Sequence, residues 1–135
     1  MEISLADLID RYTILKLKLE RLNLEQKKFE PLLEKEFLAY EKAIDNYRMK
    51  GVSVKQDWID QLHKINGNCW DLEADIRQGK EGILGLEEVG RRAILIRDIN
   101  RQRIAVKNLV AKETGLGFLE IKTNHASTDD VDNIV

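Results

Sequence analysis

Apolar residues recur every three or four positions through most of the chain, a spacing that places them on one side of an α-helix. Four such stripes occur, and they span Leu5–Leu22, Leu33–Tyr47, Trp58–Ile76 and Leu86–Val110. They predict helices running from about Leu5 to Lys28, Pro31 to Gly51, Val54 to Gln78 and Leu86 to Thr114. Because the connections are short, we expect an all-α fold, an antiparallel bundle of three to four long helices.

Residues at the ends of the stripes indicate where the helices begin and end. Ser4 with Asp7 three positions later is a capping-box pattern for the first helix. Ser53 is a candidate N-cap for the third helix, and Gly115 should end the last one. Pro31 lacks an N–H and disfavours helix at the preceding residue, so the first two helices are either separate or one kinked helix.

A single domain accounts for all of the predicted helices. We expect the bundle to occupy residues 1–122 and to finish in a short extended piece at Phe118–Lys122. Residues 123–135 are polar and acidic, and they should form a mobile tail. A chain of 135 residues is long enough for one such domain with a sizeable core.

Composition narrows the class of protein. Hydrophobic residues make up 43% and charged residues 34%, a mixture that favours a folded chain rich in helix. The net charge of −2 provides no general basic field, so we do not expect nucleic acid as a partner. The single Cys69 and the absence of a long apolar run at the N-terminus favour a cytoplasmic protein without a membrane span.

The last predicted helix carries the most unusual polar residues. Arg92, Asn100, Arg103 and Lys107 lie within its apolar stripe, on one ladder of three- and four-residue steps. Three cations on one side of a helix repel one another unless an anion lies close to them. On the sequence alone, Arg103→Ala should therefore leave the bundle folded, because it removes one of the repelling charges.

Two interpretations of these cations remain open. They could bind a phosphate, pyrophosphate or carboxylate ligand, with arginine as a planar fork and lysine as a point charge. They could instead form a structural salt-bridge network with Glu73, Glu87 or Glu88.

Earlier helices add further candidates for the same site. Lys16 has its stem within the first apolar stripe, and it either extends its ammonium group to solvent or belongs to the site. Asn66, Trp70 and Glu73 form a line beside the third stripe. Trp70 could stack on a sugar while Glu73 binds sugar hydroxyls or Arg103. The alternative is a Trp70 packed in the core and a Glu73 that pairs within its own helix.

Four segments carry a resemblance to a known family. The first is Leu5–Arg21, in which Asp10-Arg11 precedes Thr13, and the others are Asn66–Arg77, Asn100–Lys107 and Glu120–Lys122. Their order and spacing resemble a small uncharacterised bacterial family whose members are encoded beside glycosyltransferase and lipopolysaccharide-assembly genes. The resemblance implies a helical protein with a charged central site and a glycan-related context. From the residues alone, Asp10 and Arg11 fit a surface ion pair as well as they fit a site.

The chain also departs from the family patterns at three positions. Ala74 and Arg101 stand where the family has acidic residues, and Ile121 replaces one position of a paired-acid motif. The loss of these acids weakens the case for metal or acid chemistry. We expect neither a metal nor a cofactor, since no ligand or catalytic spacing occurs around the histidines or the cysteine.

These patterns together predict a binding or accessory protein that recognises a phosphorylated, sugar-type anion in surface-polysaccharide biosynthesis. The expected ligand-binding residues are Lys16, Asn66, Trp70, Glu73, Asn100, Arg103 and Lys107. The alternatives are a structural or scaffolding protein-interaction module and, less favoured, a small all-helical enzyme acting on a nucleotide or sugar nucleotide.

Self-association is a further expectation. Several apolar residues lie off the main stripes, where a bundle this small has too few elements to cover them. They are Ile14, Leu17, Leu24, Ile94 and Ile104. Covering them by a second copy predicts a homo-oligomer.

Overall fold

The structure, a computed structural model, describes residues 3–77 and 81–116. Within these ranges the chain forms helices and no strand, which confirms the predicted all-α fold. The helices are α1 (Leu5–Glu20), α2 (Glu30–Met49), α3 (Gln56–Arg77), the single-turn α4 (Glu81–Leu84) and α5 (Leu86–Thr114). The extended piece and the tail predicted after Gly117 lie outside the described residues.

Three of the predicted helix ends are confirmed. Ser4 caps α1, because its hydroxyl accepts a hydrogen bond from the Asp7 N–H at 3.2 Å and donates one to the Asp7 carboxylate at 3.1 Å. Gly51 follows α2 with a φ of +89°, and Gly115 follows α5 with a φ of +69°. Glycine suits both turns because a side chain strains the backbone in this left-handed region.

The first helix ends earlier than predicted. α1 stops at Glu20, whereas its apolar spacing predicted helix as far as Lys28. The Asn23 side chain accepts a hydrogen bond from the Gln26 N–H at 2.9 Å, and the Gln26 side chain accepts one from the Asn23 N–H at 3.4 Å. This reciprocal capping competes with continued helix, and the 3-10 turn at Lys27–Phe29 follows it and leads into α2.

The boundaries around α2 and α3 settle two further expectations. Pro31 lies in the first turn of α2, so α1 and α2 are separate helices and not one kinked helix. The predicted cap at Ser53 is wrong, because α3 begins only at Gln56. Val54 is buried in the core and its carbonyl accepts a hydrogen bond from the Arg48 guanidinium at 3.2 Å. These contacts hold the segment before α3 out of the helix.

α1 is the central helix of the bundle, since it packs against α2, α3 and α5. Asp10 of α1 contacts Asn66 of α3, and Arg21, the residue after α1, contacts Asp71 further along α3, so these two helices run in the same direction. α5 runs in the opposite direction, because Arg103 meets Asp10 while Lys107 meets Asp7. The fold is therefore the predicted bundle, with neighbours along the chain antiparallel.

The apolar core lies at one end of the bundle, where α1 begins, α2 ends, α3 begins and α5 ends. Leu5, Trp58, Leu62 and Val110 are almost completely buried there. We refer to this region as the closed end. From Asn68 to Ala74 no residue of α3 is buried, and the buried positions of α5 begin only at Val106.

The opposite end, which we call the open end, exposes many apolar side chains. Leu24 and Ile94 are exposed, as their positions off the main stripes predicted. Leu17 contradicts the same expectation, because only 1% of it is exposed. The reason is that α1 is covered on several sides, so residues off its main stripe also become buried.

Candidate functional site

A second stripe on α1 builds the centre of the candidate site. Ala6, Asp10, Thr13 and Leu17 follow one another by steps of four, three and four, and all four are buried. This side of α1 faces α3 and α5, whereas the main apolar stripe carries Tyr12, which stacks on Phe37 of α2. Asp10 therefore lies between helices, although the sequence was equally consistent with a surface position.

Asp10 joins three helices through one buried carboxylate. The Arg103 Nε donates to Asp10 Oδ1 at 2.9 Å, and the Arg103 Nη2 donates to Asp10 Oδ2. The Asn66 amide donates to Asp10 Oδ1 at 2.9 Å and to the Thr13 hydroxyl oxygen at 3.0 Å. Thr13 in turn donates to the Asp10 carbonyl at 2.7 Å. We call these four residues the polar lock.

Lys107 of α5, like Arg103, is paired with a carboxylate of α1. Lys107 Nζ lies 2.7 Å from Asp7 Oδ1, and the side chain of Lys107 is only 9% exposed. Burial acts to raise the pKa of Asp7, but the hydrogen bond and positive charge of Lys107, with the hydrogen bond from Ser4, hold it below its ordinary value. Asp7 thus accepts a hydrogen bond from the Ser4 cap and neutralises a nearly buried ammonium group.

These contacts change the charge balance expected from the sequence. Asp7 and Asp10 bring two negative charges to Arg103 and Lys107, so the two pairs together are neutral and not positive. Among the described residues, every buried side-chain nitrogen or oxygen has a hydrogen-bond partner. The polar lock therefore has the properties of a structural network that fixes how α1, α3 and α5 pack.

Several other predicted site residues lie near the polar lock without joining it. Lys16 follows Asp10 by six residues, so at 100° per residue it leaves α1 about 120° away from Asp10. Asn100 is half-buried one turn before Arg103 on α5. Glu73 lies two turns beyond Asn66 and accepts a hydrogen bond from the Cys69 thiol at 3.5 Å. Whether these residues bind a ligand remains a prediction.

The contacts of Arg92 agree with the structural interpretation, in which the cations of α5 form salt bridges within the protein. Its guanidinium lies 3.0 Å from Glu88 on the same helix and donates to the Leu72 carbonyl of α3 at 3.4 Å. Hydrogen bonds from Arg91 and Arg92 hold the pKa of Glu88 at about 2. Glu88 was one of the acids that the sequence offered for such a network.

Trp70 belongs to a different region, a cleft at the open end. The cleft has a volume of about 310 Å³ and lies where α1 ends and α2 begins. Trp70 of α3 forms one wall, and the cations Lys18 and Arg21 come from the last part of α1 and the residue after it. The remaining lining residues are Leu22, Gln26, Phe29, Leu32 and Leu33. We call it the Trp70 cleft.

Gly67 places this cleft directly beside the polar lock. It follows Asn66, and a Cβ atom added to it would lie 3.4 Å from Arg21 Nη2 and 3.5 Å from Leu17 Cδ2. The Arg21 guanidinium and the Leu17 side chain therefore pack directly against α3 at this position. Arg21 also forms an ion pair with Asp71, the neighbour of Trp70.

Sequence patterns did not identify Lys18 and Arg21 as members of a cleft. Both lie outside the main stripe of α1, although Arg21 continues the second stripe by one step of four from Leu17. The cleft depends on the early end of α1, which local side-chain capping causes. The spacing of residues in the second stripe thus indicated that Arg21 faces the other helices, but it did not indicate a cleft.

Among the residues that the structure describes, no group of three or more histidine, cysteine, aspartate or glutamate side chains could hold a metal ion. His63 instead lies 2.6 Å from Glu20 of α1, as an interhelical contact. None of the described helices is long and apolar enough to cross a membrane.

Comparison of the chain with protein-family models, with curated proteins and with solved structures finds no significant match.

Proposed function

We propose that this protein is a binding module that holds an amphipathic anion in the Trp70 cleft. The observation that carries the proposal is the lining of the cleft, which combines an apolar wall with two cations. The apolar part of the ligand would lie against Trp70, Leu22 and Leu33. Its anionic group, a phosphate by preference, would lie beside Lys18 and Arg21.

The size and lining of the cleft support this class of ligand. Its volume of about 310 Å³ is at the lower end of the roughly 300–1,000 Å³ usual for ligand pockets. Such pockets are mostly apolar, with a few polar groups that orient the ligand. Trp70 supplies a large flat surface, and an arginine supplies a fork that matches two phosphate oxygens.

Arg21 can serve a ligand without a large cost to the fold. Its present partner, Asp71, is two-thirds exposed, and an exposed ion pair contributes only about 0–1 kcal/mol. A phosphate could therefore share or replace this carboxylate. Arg103, by contrast, is committed to a carboxylate that is 3% exposed, and a ligand competing for it would leave that charge buried.

The expected glycan context fits the same cleft. A phosphorylated sugar attached to an apolar carrier has both an anionic group and an apolar chain, and its sugar could stack on Trp70. The polar lock would then act indirectly by fixing α1 against α3, because Gly67 and Arg21 lie immediately beside Asn66. This account keeps Trp70 as a ligand-binding residue and replaces Arg103 and Lys107 by Arg21 and Lys18.

Isothermal titration with octyl phosphate tests the proposal, with octyl glucoside and inorganic phosphate as probes that each lack one half of the ligand. We expect octyl phosphate to bind more tightly than either. Arg21→Gln should weaken its binding about tenfold, the value of a charged hydrogen bond, and Trp70→Ala should do the same by removing the apolar wall.

Lys42→Gln is the matched control, since Lys42 is an exposed lysine on the body of α2. Circular dichroism should show every variant folded. Equal binding by wild type, Arg21→Gln and Trp70→Ala would exclude the Trp70 cleft as the site.

A structural or scaffolding role is the second candidate. α2, which the structure describes throughout, has Ile44 as its single buried residue and exposes Leu32, Leu38 and Met49. A helix exposed to this degree is available to a protein partner. Co-purification of a stoichiometric partner lost on Leu38→Ala would favour this role over ligand binding.

A further inference from the structure

We propose that the tip of the bundle docks onto the surface of an anionic lipid bilayer. The tip is the segment 21–32, which comprises the connection after α1 and the start of α2 and borders the Trp70 cleft. The inference extends the proposed function, because a bilayer is a source of amphipathic anions. It is tested separately, through contact with vesicles and not through binding of a soluble ligand.

Large apolar side chains are concentrated on the tip. Leu24 is 87% exposed, Leu32 is 66% exposed and Phe29 is 50% exposed, all within nine positions. Soluble proteins rarely expose large apolar groups so close together unless the surface binds something. Leu24 lies in the short connection between α1 and α2, at the open end of the bundle.

Cations accompany these apolar side chains. Lys27 and Lys28 are exposed, and the Lys28 ammonium lies 5.2 Å from the centre of the Phe29 ring. Residues 22–32 contain two basic residues (Lys27, Lys28) and two acidic ones (Glu25, Glu30), and the adjacent Arg21 is paired with Asp71. Apolar groups flanked by lysines are suited to the boundary between lipid headgroups and acyl chains.

This charge distribution determines what kind of bilayer fits. Because the charges of the tip balance, insertion of Leu24 and Leu32 must provide most of the binding, and the neighbouring Lys27 and Lys28 add attraction to anionic headgroups. The tip should therefore bind neutral vesicles weakly and vesicles with anionic lipid more strongly. Raising the salt concentration should reduce the difference between the two.

The position of the cleft connects docking with ligand capture. Phe29 and Leu32 are exposed on the tip and also line the Trp70 cleft, together with Leu22. The side chains that would enter the lipid surface are therefore continuous with the wall of the cleft. An apolar chain could pass from the bilayer into the cleft without crossing water.

Vesicle co-sedimentation tests the inference, using phosphatidylcholine vesicles with and without phosphatidylglycerol. The test variant is Leu24→Ala with Leu32→Ala. The matched control is Met49→Ala with Leu38→Ala, since these two side chains are 83% and 60% exposed, close to the 87% and 66% of the test pair. All four are exposed, so both double variants should fold as the wild type does.

We expect the wild type and the control to bind vesicles containing phosphatidylglycerol, and the tip variant to bind them about tenfold or more weakly, because it loses two inserting side chains. Charge reversal by Lys27→Glu with Lys28→Glu should remove the preference for anionic vesicles.

Three results would overturn the inference. They are absence of wild-type binding to either vesicle, equal losses in the tip variant and the control, and a change in sedimentation of the tip variant without vesicles. The last would identify the tip as an interface with a second copy. Failure of membrane docking is distinguishable from failure of the proposed function. Arg21→Gln and Trp70→Ala can weaken the binding of octyl phosphate whether or not the protein binds vesicles.

Discussion

Replacing Arg103 by alanine would remove the cation that faces the buried carboxylate of Asp10. Asp10 is 2% exposed, and the guanidinium of Arg103 engages both of its side-chain oxygens. After the substitution, Asn66 and its single amide group would remain as the side-chain donor to Asp10. The negative charge would then lie between α1, α3 and α5 without a positive charge to balance it.

The expected loss of stability is large for this fold. Removing one partner of a buried ion pair costs about 3–5 kcal/mol, because the other charge remains buried and unpaired. The side chain of Arg103 is one-third exposed, so water can enter the vacated space and the lower part of that range applies. The free energy of unfolding of a domain of this size is about 5–15 kcal/mol, so Arg103→Ala should remove a substantial fraction of its stability.

Urea unfolding followed by circular dichroism measures this loss. Arg101→Ala is the control, since Arg101 is an exposed arginine two residues away on the same helix. A double-mutant cycle with Asp10→Ala adds a second test. The double variant should lose less stability than the sum of the two single variants, because it leaves no unpaired charge.

The reasoning would be refuted if Arg103→Ala and Arg101→Ala lost the same stability within about 0.5 kcal/mol, the usual effect of a surface substitution. It would also fail if the double-mutant cycle gave additive losses. Either result would mean that the Asp10–Arg103 contact does not couple α1 to α5. The sequence alone predicts relief of repulsion for this substitution, and the carboxylate of Asp10 reverses that expectation.

Three further predictions concern stability and assembly. Asp7→Asn should destabilise the protein at pH 7. Because the pKa of folded Asp7 is lowered, the difference in free energy of unfolding from wild type, measured in urea, should shrink as the pH falls below about 4. A difference independent of pH would contradict the pairing of Asp7 with Lys107. Gly90→Ala should raise the free energy of unfolding by about 0.5–1 kcal/mol, since a Cβ atom there meets nothing within 4 Å and glycine is a poor helix former; a decrease would show that the start of α5 is packed against something else. Self-association remains a prediction from the exposed apolar residues, so sedimentation velocity should show a dimer at high concentration that Ile94→Lys weakens, and a monomer at all concentrations would exclude it.

Local patterns were sufficient wherever a helix depends on its own residues. The four apolar stripes predicted four long helices, and α5 has the bounds Leu86–Thr114 that its stripe indicated. The Ser4 cap and the Gly115 stop followed from residue types with specific backbone preferences. The error at the end of α1 was also local, since Asn23 and Gln26 cap each other directly after the stripe ends at Leu22.

The candidate site depended on information of another kind. The sequence correctly identified Asn66 and Arg103 as residues that packing brings together, and it predicted the wrong charge balance around them. An apolar stripe indicates which side of a helix is buried, but it does not indicate how many other helices pack against that helix. Because α1 has three, its second stripe is also buried, and Asp10 changes from an ordinary surface acid into the centre of the polar lock.

The amino-acid sequence by itself determined the helical class, the positions of the long helices and the presence of cations on the apolar side of α5. These features follow from interactions within a few residues of one another. Only the tertiary structure decided that Asp7 and Asp10 neutralise those cations, and that Trp70 joins Lys18 and Arg21 in a cleft at the open end. The physical reason is that both outcomes depend on which helix lies beside α1, and that choice is made by packing among residues that are distant in the chain.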